Sequence, residues 1–200
     1  MIYKSIDSTN KECLRLIPSG LEVGSVLVSE IQTDGIGKRG SSWDSCEGGL
    51  YFSIYIGKNL DIRKNQYLTL AIAMEIKEFM QSIGIKVDLK WPNDIYINGK
   101  KVGGILGENK SIEEDSFLIM GIGINLLQKS DSFKNKKYKG SSILIEKKVL
   151  LKPVETCINL MEYINKWYRC AIENHLMIIE RYLSELTYGM EECDEFFRRS

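Results

Sequence analysis

The sequence predicts an α+β fold, a mixed and largely antiparallel sheet flanked by helices. Three observations predict it. Short apolar runs rich in β-branched and aromatic residues lie on both sides of one long stretch with apolar residues at helical spacing. Asn98-Gly99 sits between two of the short runs, a strong signal for a tight hairpin. From Pro153 onward the pattern is helical. Grouped strands followed by helices are the pattern of an α+β architecture.

In chain order, residues 2–6 alternate like a short strand. Asp7-Ser8-Thr9-Asn10 supplies helix-capping chemistry, and Cys13, Leu14 and Ile17 give the following helix an apolar face that Pro18-Ser19-Gly20 terminates. Residues 25–31 read as a buried strand, 34–49 as a Gly-rich loop and 50–56 as a second strand. Leu70, Met74, Ile76, Phe79 and Ile83 define a helix over 67–83, closed by Gly84. Strands are expected at 87–91, 94–97, 101–106 and 117–125. The lysine-rich stretch 128–139 reads as a mobile loop, and helices are expected from Pro153 through Trp167 and Tyr182 to the end.

The chain has 200 residues, enough for one domain with a real core, and we expect residues 1–200 to form a single one. Its 27 Lys and Arg balance 27 Asp and Glu, so no overall basic field exists to hold nucleic acid. No run approaches the roughly 18 apolar residues of a membrane span. The start, Met1-Ile2-Tyr3-Lys4-Ser5, is not a signal peptide, which makes the cytoplasm the default location and gives no membrane association. Cys13, Cys46, Cys157, Cys170 and Cys193 are scattered and form no C-x-x-C pair, so they read as packing residues rather than disulfides or metal ligands. His175, the only histidine, reads as structural or surface-exposed.

Four stretches carry chemistry. Gln32-Thr33-Asp34-Gly35-Ile36-Gly37-Lys38-Arg39-Gly40, with Trp43 beyond it, combines bare backbone amides with two cations, a plausible cradle for phosphate or carboxylate, or else a surface loop. It matches neither a P-loop nor a dinucleotide-binding turn. Lys90-Trp91-Pro92-Asn93-Asp94 presents Asn93 and Asp94 at the start of a strand, although Pro-Asn-Asp is also ordinary turn chemistry. Lys100-Lys101-Val102-Gly103-Gly104-Ile105-Leu106 places two glycines in a strand, where close approach of a backbone or ligand is the usual reason. Gly121-Ile122-Gly123-Ile124-Asn125 gives a strand one bare face, suited to tight packing or to the floor under a flat ligand.

Taken in order with Ser8-Thr9-Asn10 and Gly48-Gly49-Leu50-Tyr51-Phe52-Ser53, and continuing past Leu106 to Glu108, these stretches closely resemble the signature series of the biotin–protein ligase catalytic domain, over residues 1 to about 145. The segment from Lys90 to Glu108 is its most specific part. The resemblance implies the catalytic fold shared with class II aminoacyl-tRNA synthetases and lipoate ligases. It implies ATP and Mg2+-dependent formation of biotinoyl-5′-AMP, then transfer of biotin to a lysine of a biotin carboxyl carrier domain of a biotin-dependent carboxylase. Carried over by position, Ser8, Thr9, Asn10, Gln32, Gly35, Gly49, Tyr51, Ser53 and Gly104 would bind biotin. Lys38, Arg39, Trp43, Lys101 and Asn125 would bind ATP. Lys101 would bridge the biotin carboxylate and the α-phosphate, with Asn93, Asp94, Lys38 and Arg39 completing the catalytic set, and Asp94 would orient or deprotonate the incoming lysine. The loop over 128–139 would close on the adenylate with Phe133 or Tyr138 as an adenine cover.

Three departures accompany the resemblance. Where the family commonly has G-R-G-R-R-G-R, Ile36 and Ser41 replace two arginines and Lys38 a third, which predicts weaker or rearranged phosphate binding. The resemblance starts at the first strand, so no helix-turn-helix and no operator binding are expected. The C-terminal barrel-like domain of many members is expected to be absent. Family habit suggests a homodimer. A lipoate or octanoate ligase of the same fold is the alternative enzyme, and a non-catalytic biotin-binding or carrier-docking protein is the alternative of another class.

Overall fold

A computed structural model describes residues 1–61, 63–134, 138–173 and 175–198. Eight strands form one sheet: β1 (Ile2–Tyr3), β2 (Val26–Ser29), β3 (Gly49–Lys58), β4 (Asp88–Lys90), β5 (Asp94–Ile97), β6 (Lys100–Ile112), β7 (Asp115–Asn125) and β8 (Leu186–Tyr188), in the order β1-β2-β3-β7-β6-β5-β4-β8. Only the outermost pairs, β1 with β2 and β4 with β8, are parallel. The predicted mixed, largely antiparallel sheet flanked by helices is therefore observed. The helices are α1 (Thr9–Leu16), α2 (Arg63–Ser82), α3 (Ile143–Lys147), α4 (Pro153–Glu173), α5 (His175–Glu185) and α6 (Met190–Arg198). None of the described helices is long and apolar enough to cross a membrane.

The central strands alternate between two apolar clusters, as the two-residue period of a strand requires. Leu50, Phe52, Ile54 and Ile56 of β3 and Leu118, Met120, Ile122 and Ile124 of β7 join the main core with Leu68, Ile72, Met74, Ile76 and Phe79 of α2 and Leu160 and Ile164 of α4. Tyr55 of β3 and Phe117 and Ile119 of β7 join a smaller cluster with Cys13, Leu14 and Leu16 of α1. Along that second face, Ser53, Gly121 and Gly123 interrupt the apolar row, and a cavity opens over the two glycines.

Asn98 and Gly99 both take positive φ (51° and 72°) and join β5 to β6, which is the hairpin the dipeptide predicts. Several boundaries differ from expectation. The first strand is only Ile2–Tyr3, because Ser5 and Asp7 divert the chain towards α1; a lone bridge between Ile6 and Gln32 is what remains of the ladder. β6 and β7 run on to a turn at Glu113-Glu114, well past 106, since residues 108–112, polar except for Ile112, pair in register with 115–119. Residues 186–188 are a strand rather than helix. Leu186 and Tyr188 pair with Leu89 and Lys90, and Trp91 N–H donates to the Tyr188 carbonyl at 2.9 Å, covering the edge that β4 would otherwise leave open. A 3₁₀ turn at Ser130–Phe133 lies within the expected loop, of which residues 135–137 are outside the described set. Cys13, Cys157 and Cys193 are buried, as expected of packing residues, whereas Cys46 is exposed; the side chains of Cys170 and His175 lie outside the described residues.

Candidate active site

The floor of the site is set by strand register. Gly123 of β7 stands beside Tyr51 of β3 and Gly104 of β6, and Gly104 stands beside Asp94 of β5. One row further along, Gly121 lies between Ser53 and Leu106. The absent side chains admit neighbours. A Cβ on Gly123 would lie 2.5 Å from Trp43 Nε1, and one on Gly121 would lie 2.5 Å from Asn10 Oδ1. The flat group resting on the glycine floor is thus the Trp43 indole of the chain itself, and its edge also reaches over Gly104. Its N–H has no hydrogen-bond partner among the described residues.

Above this floor is a cavity of about 660 Å³, within the range that small-molecule sites occupy. At one end stand Ser8, Thr9, Asn10 and Gln32. Thr9 donates its N–H (2.8 Å) and hydroxyl (3.0 Å) to Gln32 Oε1, and Gln32 Nε2 donates to Ser45 Oγ at 2.8 Å. Ser53, fully buried behind them, has one hydroxyl proton to share between Thr9 Oγ1, 2.6 Å away, and Asn10 Oδ1. Asn10 Nδ2 donates to Glu108 Oε2 at 2.7 Å. Ser8 occupies the N-cap position of α1, as its sequence context predicts, yet its side chain makes no capping bond. Its buried hydroxyl faces the cavity, where a ligand can use it.

At the other end Lys101 Nζ pairs with Asp94 Oδ1 at 2.7 Å, both partly buried, and lies 5.1 Å from the centre of a Trp43 ring and 5.8 Å from that of Tyr138. The ammonium is therefore held by one carboxylate and two aromatic faces. Lys38 stands on the rim. Desolvation lowers its pKa; Asp94 pulls it back up, and the Lys101 and Arg39 charges push it further down. Asn93 donates its amide to the Ile105 carbonyl at 2.7 Å, and Ile105 N–H returns a bond to the Asn93 carbonyl at 2.9 Å, so Asn93 clamps the Trp91-Pro92 turn, whose peptide is cis, onto β6.

The structure brings Ser8, Thr9, Asn10, Gln32, Lys38, Trp43, Asn93, Asp94, Lys101 and Gly104 onto one wall, together with Tyr138. The remaining predicted residues do not line the cavity. Gly35 is buried in its loop, where a Cβ would meet the Trp43 carbonyl at 2.4 Å. Arg39 is exposed in a left-handed conformation (φ 53°). Ser53 is a layer behind the wall. Tyr51 is buried, donating to the Cys46 carbonyl and accepting from Gln128 (2.8 Å each), and Gly49 packs against that phenol. Asn125 is buried and donates to the Ser141 carbonyl at 3.0 Å. The sequence reading missed Ser42 and Asp44 on the rim and the role of Ile105 as apolar wall. It also missed Glu108 as the anchor of Asn10, because a contact across 98 residues leaves no local signal.

The eight-stranded mixed sheet thus carries, over its glycine floor, a lysine–carboxylate pair and a bank of hydroxyl and amide groups that line one cavity. The chain belongs to the biotin/lipoate A/B protein ligase family, whose model matches residues 2–125. It is 33% identical over 196 residues to the bifunctional ligase/repressor BirA of Bacillus spizizenii, covering 94% of this chain and 55% of that protein. It is 34% identical over 116 residues to biotin–protein ligase 2 of Arabidopsis thaliana, covering 54% of this chain and 35% of that protein. The chain thus spans about half or less of the length of these relatives. Among solved structures, it resembles the biotin protein ligase of Aquifex aeolicus in complex with biotin and ATP, with a TM-score of 0.75 and 28% identity, covering 93% of this chain and 77% of that one.

Proposed function

We propose that this chain activates biotin with ATP as biotinoyl-5′-AMP and transfers the biotinoyl group to a lysine of a carboxyl carrier domain. One observation carries the reading: the Lys101–Asp94 pair, with the Trp43 and Tyr138 rings beside the lysine, shares one cavity with the Ser8–Thr9–Gln32 bank. A ureido ring needs neutral donors and acceptors, an adenine needs a flat apolar surface, and the carboxylate and phosphate between them need a cation. The biotin protein ligase of Aquifex aeolicus that the chain resembles holds biotin and ATP together, which supports this reading.

In the first step a biotin carboxylate oxygen attacks the α-phosphorus of ATP, and pyrophosphate leaves. Lys101, released from Asp94 by the arriving anions, would bind both reacting oxygens, and charge stabilisation of this kind is worth most in a water-poor site. Lys38 and Arg39 would meet the outer phosphates. Ile36 and Ser41 bring no charge to the cavity wall, so phosphate holding rests on few cations. In the second step a carrier lysine amine attacks the acyl carbon and AMP departs. Asp94, freed of Lys101, would accept or orient the amine proton. Among the described residues no three side chains form a metal-binding cluster, so magnesium would be held by the nucleotide phosphates with Asp44 or Asp94 beside them, and would screen phosphate charge.

The test is pyrophosphate release from ATP and label transfer to a carrier domain, with biotin and lipoate compared. Biotin-dependent release and transfer are expected. Faster turnover of lipoate would assign the other branch of the family, and biotin binding without pyrophosphate release would leave a binding protein.

A further inference from the structure

A second cavity, of about 220 Å³, lies between β3, α2 and α4 and shares no lining residue with the first. Its wall is apolar, formed chiefly by Ile54, Ile56, Leu68, Ile72, Met161 and Ile164. Val23 and Asn165, both exposed, mark its mouth. One side chain breaks the pattern. Glu75 of α2 lines the cavity with no exposed surface, and neither carboxyl oxygen has a hydrogen-bond partner among the described residues. Buried polar atoms are nearly always paired, so two unmatched oxygens on one group in the wall of a cavity call for a ligand that supplies donors.

The nearby cations do not fill this need. Lys166 of α4 and Arg181 of α5 both pair with Glu78, at 3.1 and 2.8 Å. Burial, and then the Glu78 charge, push the Glu75 carboxyl up to about 8, with Arg181 and Lys166 pulling the other way. The empty site therefore holds a protonated, neutral carboxyl at neutral pH, which is the tolerable form of an isolated acid in an apolar setting.

We propose that this cavity is a second small-molecule site, selective for a short primary alkylamine whose ammonium sits on Glu75 while its chain fills the apolar wall. An ammonium carries three donors and no acceptor, and a carboxylate only accepts, so one head group satisfies both oxygens. A carboxylate ligand would lose its hydration for a single hydrogen bond from the neutral Glu75 carboxyl, and an alcohol can pair with that neutral carboxyl but brings no charge to form the stronger ion pair. At roughly 30 Å³ per water-sized group, the volume holds about seven heavy atoms, the size of hexylamine. Binding an ammonium stabilises the ionised form of Glu75, so about one proton is released when the amine binds below pH 8.

The experiment is isothermal titration of the whole chain at pH 7 with hexylamine, hexanol and hexanoate, in two buffers of different ionisation enthalpy. Saturable one-to-one binding of hexylamine is expected, at least about tenfold tighter than hexanol, with no binding of hexanoate and release of about one proton. Glu75→Gln keeps the shape and should weaken hexylamine by about tenfold to a hundredfold while keeping hexanol, which also reports an intact cavity. Equal affinity for amine and alcohol, no proton release by the natural chain, or competition by biotin and ATP would each overturn the proposal.

Discussion

Lys101 is paired with Asp94 and lies near the Trp43 and Tyr138 rings, and the proposed chemistry requires an anionic ligand to draw it from that carboxylate. Replacing it should therefore hurt chemistry more than folding. Lys101→Ala should cut biotin-dependent pyrophosphate release by on the order of a hundredfold or more. The same variant should move the thermal midpoint by only a few degrees, because Lys101 and Asp94 both keep some exposure and water can reach the carboxylate left behind. Near-normal turnover would refute the role given to the lysine. Gly123→Ala probes the floor. The three atoms nearest to its Cβ all belong to the Trp43 indole, so that ring rather than backbone has to shift and the fold should survive. The displaced indole should cost on the order of tenfold or more in nucleotide affinity, measurable by calorimetry; unchanged affinity would separate Trp43 from the nucleotide. At this scale the residue types were legible in the sequence. Their partners were not: nothing near Gln32 says that its amide oxygen is consumed by Thr9, or near Asn93 that its side chain clamps β6.

Secondary elements reach the site through their ends. α3 carries Glu146, which gathers Asn98 Nδ2 (2.9 Å), Lys100 Nζ (2.9 Å) and Ser141 Oγ (2.6 Å), so one carboxylate ties the β5–β6 hairpin to the segment leading back from Tyr138. Backbone bonds reinforce this link, Lys101 N–H to the Lys139 carbonyl at 2.8 Å and Ser141 N–H to the Lys101 carbonyl at 2.9 Å. Burial raises the Glu146 carboxyl, but the hydrogen bonds from Lys100, Ser141 and Asn98 outweigh it and leave it at about 2. Glu146→Gln should cost about 1–3 kcal/mol in urea denaturation at neutral pH. The folded state holds this carboxyl ionised below its ordinary value, so the stability it contributes is present above about pH 4.5 and is lost as pH falls towards 2. The gap between the two proteins should close over that window; a gap independent of pH would mean that the charge is not what matters. Elements with strong local signals, such as the Asn98-Gly99 hairpin, were legible. β8 was not, because residues 186–188 become a strand only by finding the open edge of β4, some hundred residues earlier in the chain.

For the whole molecule, the cost of an acid inside the main core should be visible in stability. Glu75 binds its proton up to about pH 8 when folded and releases it near 4.5 when unfolded, so the native state holds more protons across that interval and loses stability as pH rises through it. Glu75→Gln removes the titration. Its stability should be nearly flat between pH 5 and 8.5, while the natural chain should lose a few kcal/mol, read as a falling urea midpoint. Parallel curves for the two proteins would show that the folded core leaves this carboxyl unperturbed.

The sequence by itself determined the α+β class, the hairpin, the long central helix and a site vocabulary of Ser8, Thr9, Gln32, Trp43, Asp94 and Lys101. Each of these rests on local chemistry: period, turn residues, or motifs read in order. Tertiary structure alone decided which of those residues share a wall. It withdrew Tyr51, Ser53 and Asn125 into the packing behind it, laid Trp43 across the glycines of β6 and β7, and left Glu75 unpaired in a second cavity. The reason is physical. Strand register and helix packing bring together groups that are far apart in the chain, and whether a polar side chain meets a neighbour or a cavity depends on that register rather than on its own sequence surroundings.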